Sequence, residues 1–130
     1  MTLSKLIPAA VAVAALAFGV PAAANKAGEA KLAKILAGRV AGKPVRCLDI
    51  NQRRNMDVVD RTALVFRDGS TLYVNRPTGV ELLTWSDVPV FKVFGDQVCQ
   101  NDIVHLRDRS TGMGGGSMTM GDFVPYRKAH

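Results

Sequence analysis

Thr62-Ala63-Leu64-Val65-Phe66-Arg67-Asp68-Gly69-Ser70-Thr71-Leu72-Tyr73-Val74-Asn75 is the stretch that decides the fold. Two runs rich in β-branched, aromatic and aliphatic residues flank Asp68-Gly69. A two-residue type I′ turn needs positive φ, and glycine adopts it without steric cost. The stretch therefore predicts a β-hairpin. Leu64 and Phe66 share one face of their strand, and Leu72 and Val74 share one face of theirs. Arg76-Pro77-Thr78-Gly79 then breaks the second strand.

Working outward, the same texture runs from Pro44 to the end of the chain. Val45 to Asp49, Asp57 to Asp60, Val88 to Phe94, Val98-Cys99, Ile103 to Arg107 and Ser117 to Met120 read as short strands, and Val80 to Leu83 is a short apolar run. Asn51 to Asn55, Thr84 to Asp87, Gly95-Asp96 and the glycine-rich Arg109 to Gly116 read as connections. Pro89 marks an edge strand or a late start. Phe123-Val124-Pro125-Tyr126 reads as an extended tail packed onto the rest. The predicted class is mainly β: a small antiparallel barrel or sandwich of six to seven short strands with one N-terminal helix.

That helix is the one 3.6-residue pattern, over Asn25 to Arg39. Leu32, Ile35, Leu36 and Val40 fall on one side of it, and Lys31, Lys34 and Arg39 point elsewhere. Asn25 stands at the N-cap, Glu29 in the early part of the helix, and Gly38, Gly42 and Pro44 end it. A basic amphipathic helix can lie on an anionic membrane. The narrow apolar face, without aromatics, favours packing on the edge of a sheet instead.

The first residues have a different character. Lys5 is followed by an uncharged apolar run from Leu6 to Val20, then Pro21 and Ala22-Ala23-Ala24. The run is short for a membrane span and has the flanks of a secretory signal peptide, with cleavage expected after Ala24. No cysteine follows it, so lipoprotein processing is not indicated. The domain reading is 1–24 signal peptide, 25–43 amphipathic helix and linker, 44–130 small β domain. The product is expected to be periplasmic or secreted. Of 17 Lys and Arg against 11 Asp and Glu, cleavage removes only Lys5. Acidic and basic residues interleave along the chain, which predicts a mixed solvated surface over a single binding stripe. Arg53-Arg54 and Arg127-Lys128 are short solvated pairs on this reading.

Cys47 and Cys99 are the two cysteines. In an oxidising compartment they read first as one disulfide, the rival being two separate thiols. The bond would close a loop of about 50 residues, worth about 4 kcal/mol in the chain-entropy model. Neither sits in a Cys-x-x-Cys pair, which disfavours a thioredoxin-type site.

Candidates for chemistry are few. His130 is terminal, and alternation places His105 beside Ile103 and Arg107, away from Val104 and Leu106. Asp102 and Asp108 are its nearest acids in sequence. No nucleophile elbow, phosphate loop, dinucleotide fingerprint or zinc-protease helix occurs, so no catalytic, cofactor-binding or metal residue is assigned. Most aspartates stand at strand ends, where they serve backbone capping. Met113, Met118 and Met120 offer soft thioethers of the kind Cu(I) selects. The Met-x-Met spacing is equally what a half-buried strand requires. Tyr73, Trp85, Phe91 and Tyr126 could stack bases, but export and dispersed basic residues argue against nucleic acid.

Several segments together carry a resemblance. Leu36-Ala37-Gly38-Arg39-Val40-Ala41-Gly42-Lys43-Pro44, Cys47-Leu48, Asp60 to Arg67, Leu72-Tyr73-Val74-Asn75-Arg76-Pro77, Val98-Cys99 with Asp102, and Gly121-Asp122-Phe123-Val124-Pro125-Tyr126 resemble an uncharacterised family of small exported bacterial proteins. The likeness covers nearly all of the mature chain. It implies export and a compact domain, and no activity. Relatives with a cysteine near the position of Met118 imply a core or disulfide site there. The expectation is a non-catalytic periplasmic or envelope protein that binds an envelope partner or ligand or serves a structural role. The alternatives are a small periplasmic enzyme around His105 and weak Cu(I) binding through Met113, Met118 and Met120.

Overall fold

The computed structural model describes residues 25–49, 55–93 and 95–129. Residues 1–24, read as the leader, lie outside the described residues, as do 50–54, with the Arg53-Arg54 pair, Phe94 and His130. The order is α1 (Lys26–Ile35), β1 (Arg39–Ala41), β2 (Cys47–Asp49), β3 (Met56–Val59), β4 (Ala63–Asp68), β5 (Thr71–Asn75), a 3-10 turn (Val80–Leu82), β6 (Asp87–Phe91), β7 (Gln97–Cys99), β8 (Ile103–Asp108), β9 (Gly114–Thr119) and β10 (Phe123–Lys128). Every pairing is antiparallel. The sheets run β1-β10-β5-β4-β3, β2-β7 and β6-β8-β9. They do not close into a barrel, so the mainly β class holds in its sandwich form.

The central hairpin is β4–β5, closed at Asp68↔Thr71, so its two-residue loop is Gly69-Ser70 rather than Asp68-Gly69; only Gly69 has positive φ, 61°, so the turn is not the expected type I′. Its register gives the two apolar pairs opposite destinations. Phe66 stands opposite Tyr73, and Leu64 and Phe66 enter the main core. Val65 stands opposite Val74, and with Ala63 and Leu72 it packs beneath the helix. Both faces are therefore buried, which is why Ala63 to Phe66 is an unbroken apolar run. Phe66 joins the layers, 6.4 Å from the Phe91 ring and 5.6 Å from the Phe123 ring, both edge-to-face.

The main core lies between this sheet and the two smaller ones, filled by Leu48, Leu83, Val98, Val104, Leu106, Met118 and Met120 among others. The second core lies on the far face, where Leu32, Ile35 and Leu36 of α1 cover Val59, Ala63, Val65, Leu72 and Val74. The helix thus seats on a sheet face, where the sequence predicted an edge. Gly28 makes that seat possible: a Cβ there would overlap the Thr62 hydroxyl and stand 2.8 Å from the Asp60 carbonyl oxygen. Arg76 clamps the helix by two guanidinium bonds to Glu29, at 2.6 and 3.1 Å. This bond, with the charge on Arg76, holds the Glu29 carboxyl below its usual range. Asn25 occupies the N-cap without a side-chain capping bond.

The helix also ends earlier than its periodicity predicts. It stops at Ile35, Gly38 turns the chain at φ 76°, and Val40 belongs to β1, 59 % exposed, not to an apolar helix face. The segment expected as linker is thus partly a strand. At the other terminus, the expected tail is β10, an inner strand between β1 and β5. Pro125 fits there because its carbonyl accepts from Gly42 N–H at the end of β1. In an antiparallel strand a residue's nitrogen points to the same side as its carbonyl. The missing donor of Pro125 therefore faces the place where β1 gives way to Lys43-Pro44. Ten strands appear among the described residues, more than the six to seven predicted, because three-residue strands such as β1 leave almost no periodic signal.

Candidate functional site

The sheet β6-β8-β9 has one buried face and one open face. Val104 and Leu106 of β8 point into the core while Ile103, His105 and Arg107 face outward, as alternation predicts. On the outer face His105 stands between Val90 of β6 and Ser117 of β9. Lys92, Asn101, Asp102, Ile103 and His105 line a cleft of about 380 Å³ at one end of it. Of the two acids near His105 in sequence, Asp102 lines this cleft, but its Oδ2 accepts the Cys99 N–H at 2.7 Å. Asp108 is committed to a turn: its Oδ1 accepts the Ser110 hydroxyl and the N–H groups of Ser110 and Thr111. These bonds, the hydroxyl first, hold its carboxyl below the usual range. Arg107 does not line the cleft; its guanidinium donates to the Gly112 carbonyl at 3.3 Å.

The opposite rim carries Trp85, in the connection between the 3-10 turn and β6. The residue is 76 % exposed, and Leu82 and Met113 are also exposed. The loop beneath it is held at each step. Thr84 donates its N–H and its hydroxyl to Asp87 Oδ2, each at 2.9 Å. Trp85 N–H donates to Asp60 Oδ1 at 2.9 Å, and Arg109 N–H to the Ser86 carbonyl at 2.8 Å. Arg61 N–H reaches the Leu83 carbonyl at 2.7 Å, which brings the β3–β4 turn alongside. A large amphipathic ring is thus presented to water on a fixed base, flanked by Arg61 and Arg109. Periodicity is silent on such a residue. The available signal is a lone tryptophan between a strand break and Ser86-Asp87.

The methionines separate. Met118 and Met120 are buried in the main core, whereas Met113 is 69 % exposed where β9 begins. Gly114 to Gly116, expected as flexible loop, form the first half of β9, with Leu82 covering Gly116. No group of three or more His, Cys, Asp or Glu placed to hold a metal occurs among the described residues.

Cys47 and Cys99 are bonded, directly opposite one another on β2 and β7. Leu48 and Val98, between them and the sheet ends, point into the core and leave the sulfurs half-buried on the outer side. Asn75 is one of two buried polar residues among those described, with Thr62, and periodicity gives no sign of it. Its amide donates to the Gly121 carbonyl at 2.7 Å and accepts the Gly121 N–H at 2.9 Å, closing β5 onto the start of β10. Several segments that carried the family resemblance therefore serve packing and pairing: Asn75 with Gly121, Cys47 with Cys99, Asp102 with Cys99.

Among the described residues, no helix is long and apolar enough to cross a membrane. Fold and surface together define a disulfide-linked, mainly β sandwich with a helix on one face and an exposed tryptophan rim. The chain matches no protein-family model, no curated protein and no solved structure.

Proposed function

We propose that residues 25–130 form an exported, non-catalytic binding protein of the bacterial envelope, akin to the small exported proteins its segments resemble. The leader-like first 24 residues and the bonded cysteine pair support export, since such bonds persist in oxidising compartments. The observation that carries the binding role is Trp85, 76 % exposed on its hydrogen-bonded loop. Tryptophan and arginine are the residues on which interfaces concentrate their binding energy, and an indole with two rotatable bonds on an anchored backbone loses little entropy on contact. The test has two parts. Expression of the full chain in a Gram-negative host should yield periplasmic protein beginning at Asn25, without titratable thiols. Trp85 emission should then shift to the blue, saturably, with one fraction of that envelope: soluble periplasm, sacculi or membranes. Cytoplasmic retention of the full chain refutes the export claim. A spectrum indifferent to all three fractions refutes the rim.

A second reading, a small enzyme or ligand site at His105, has one observation in favour. The cleft brings His105 together with Lys92 and Asp102. A small anion between Lys92 and His105 would shift the imidazole resonances on titration with inorganic phosphate. Unchanged resonances remove that reading.

A further inference from the structure

The net charge of this protein is not spread over its surface. Residues 25–130 contain sixteen Lys and Arg against eleven Asp and Glu. Two short segments, 31–43 and 122–129, hold six of those cations and a single carboxylate, Asp122. The rest is balanced, ten against ten. The segments are far apart in sequence, and the fold pairs them: β1 lies along β10 with Arg39 opposite Lys128 and Val40 opposite Arg127. Ala129 N–H reaches back to the Gly38 carbonyl. Lys31 and Lys34 are exposed on α1, eight and five residues before the chain enters β1, and Lys43 is exposed just beyond it.

Like charges placed directly across an antiparallel pair are destabilising. Arg39 and Lys128 are such a pair. Arg39 turns toward backbone oxygens, donating to the Ser70 carbonyl at 2.6 Å and the Tyr126 carbonyl at 3.4 Å. The one carboxylate on the neighbouring hairpin tip is Asp68. Glu29, the acid of the helix, is bound to Arg76. The cations therefore gather at a sheet edge without an equal set of acids.

We propose that this edge, Lys31, Lys34, Arg39, Lys43, Arg127 and Lys128, docks the protein on an anionic lipid bilayer. The proposal deepens the envelope reading by naming a surface for it, and its readout is independent of Trp85. A bilayer is favoured over a linear polyanion by shape. The cations spread over a helix and both faces of two paired strands: Arg39 and Lys128 share the face of Tyr126 and α1, and Arg127 shares the other with the exposed Val40.

Each basic residue near an anionic bilayer strengthens partitioning about fivefold at moderate salt. The mature protein should therefore sediment with vesicles of phosphatidylcholine containing phosphatidylglycerol, and only marginally with pure phosphatidylcholine. Binding should fall steeply between about 0.05 and 0.5 M salt, where the screening length shrinks severalfold. Arg127→Glu with Lys128→Glu should weaken it at least about twentyfold. Lys31→Glu with Lys34→Glu, on the exposed side of the helix, should do the same if the strand variant proves unstable. Arg67→Glu with Arg107→Glu, both exposed and outside the edge and the rim, should leave binding intact. Equal binding to both vesicle types, no loss in either edge variant, or equal loss in the control pair overturns the proposal. So does tight binding of soluble polyphosphate with none to vesicles, which would assign the edge to a polyanion. None of these outcomes bears on the Trp85 titration.

Discussion

The five-stranded and three-stranded sheets solve the same burial problem in different ways. β4 is covered on both sides, by α1 and by the smaller sheets, so four consecutive residues, Ala63 to Phe66, are buried. β8 is covered on one side, so burial alternates strictly and Ile103, His105 and Arg107 meet water. Every position from Ala63 to Phe66 therefore carries packing, whereas in β8 only Val104 and Leu106 do so. A substitution should be costly anywhere along that run of β4, and costly or harmless in β8 according to the face it strikes.

The largest expected effect is at the junction of the layers. Phe66→Ala should cost about 3–5 kcal/mol by urea unfolding, whereas His105→Ala should stay within about 0.5 kcal/mol. Similar losses for both would erase the contrast between the sheets. Replacing Cys47 and Cys99 together with alanine should cost about 2–5 kcal/mol, since the bond removes loop entropy from the unfolded chain. A loss under about 1 kcal/mol would show that β2–β7 is held by Leu48 and Val98 alone. Asn75→Ala leaves the N–H and carbonyl of Gly121 without their partner in a closed site, and should cost about 1–3 kcal/mol. The smallest effect tests the helix side. Glu29 is held below its usual range by Arg76, so its contribution is present above the unfolded carboxyl value and is lost as pH falls through the folded one. Both side chains are about half exposed, so the contribution should be at most about 0.5 kcal/mol after screening. Glu29→Gln should remove that part of the acid dependence and little else.

The two sheets also differ in how much of them the sequence disclosed. The β4–β5 hairpin was legible because a glycine stands between two apolar runs, although the loop falls on Gly69-Ser70, one residue later than predicted, and the faces of β8 were legible because one-sided burial writes a period of two. The opposite destinations of Leu64-Phe66 and Leu72-Val74 were not legible, since register decides them and both faces of an inner strand are apolar. Gly114 to Gly116 carry no hydropathy, so half of β9 resembled a loop. Val40 extended a helical period by coincidence, hiding β1. The disulfide was legible from the even cysteine count and the leader-like start of the chain. Asn75 was not, because its partner is a backbone group 46 residues away. The rim was hidden for a related reason: Trp85 is set by Asp60 and Asp87, which sequence alone reads as ordinary turn residues. The basic edge was hidden most thoroughly, since a linear reading saw alternating signs where folding pairs residue 39 with residue 128.

Placing β10 between β1 and β5 has a consequence for biogenesis. The first strand has no neighbour to pair with in its sheet until the final strand has arrived. A chain made N-terminus first therefore cannot close this sheet until β10 has been made. Until then β1 and one side of β5 are open edges, free to pair with another strand.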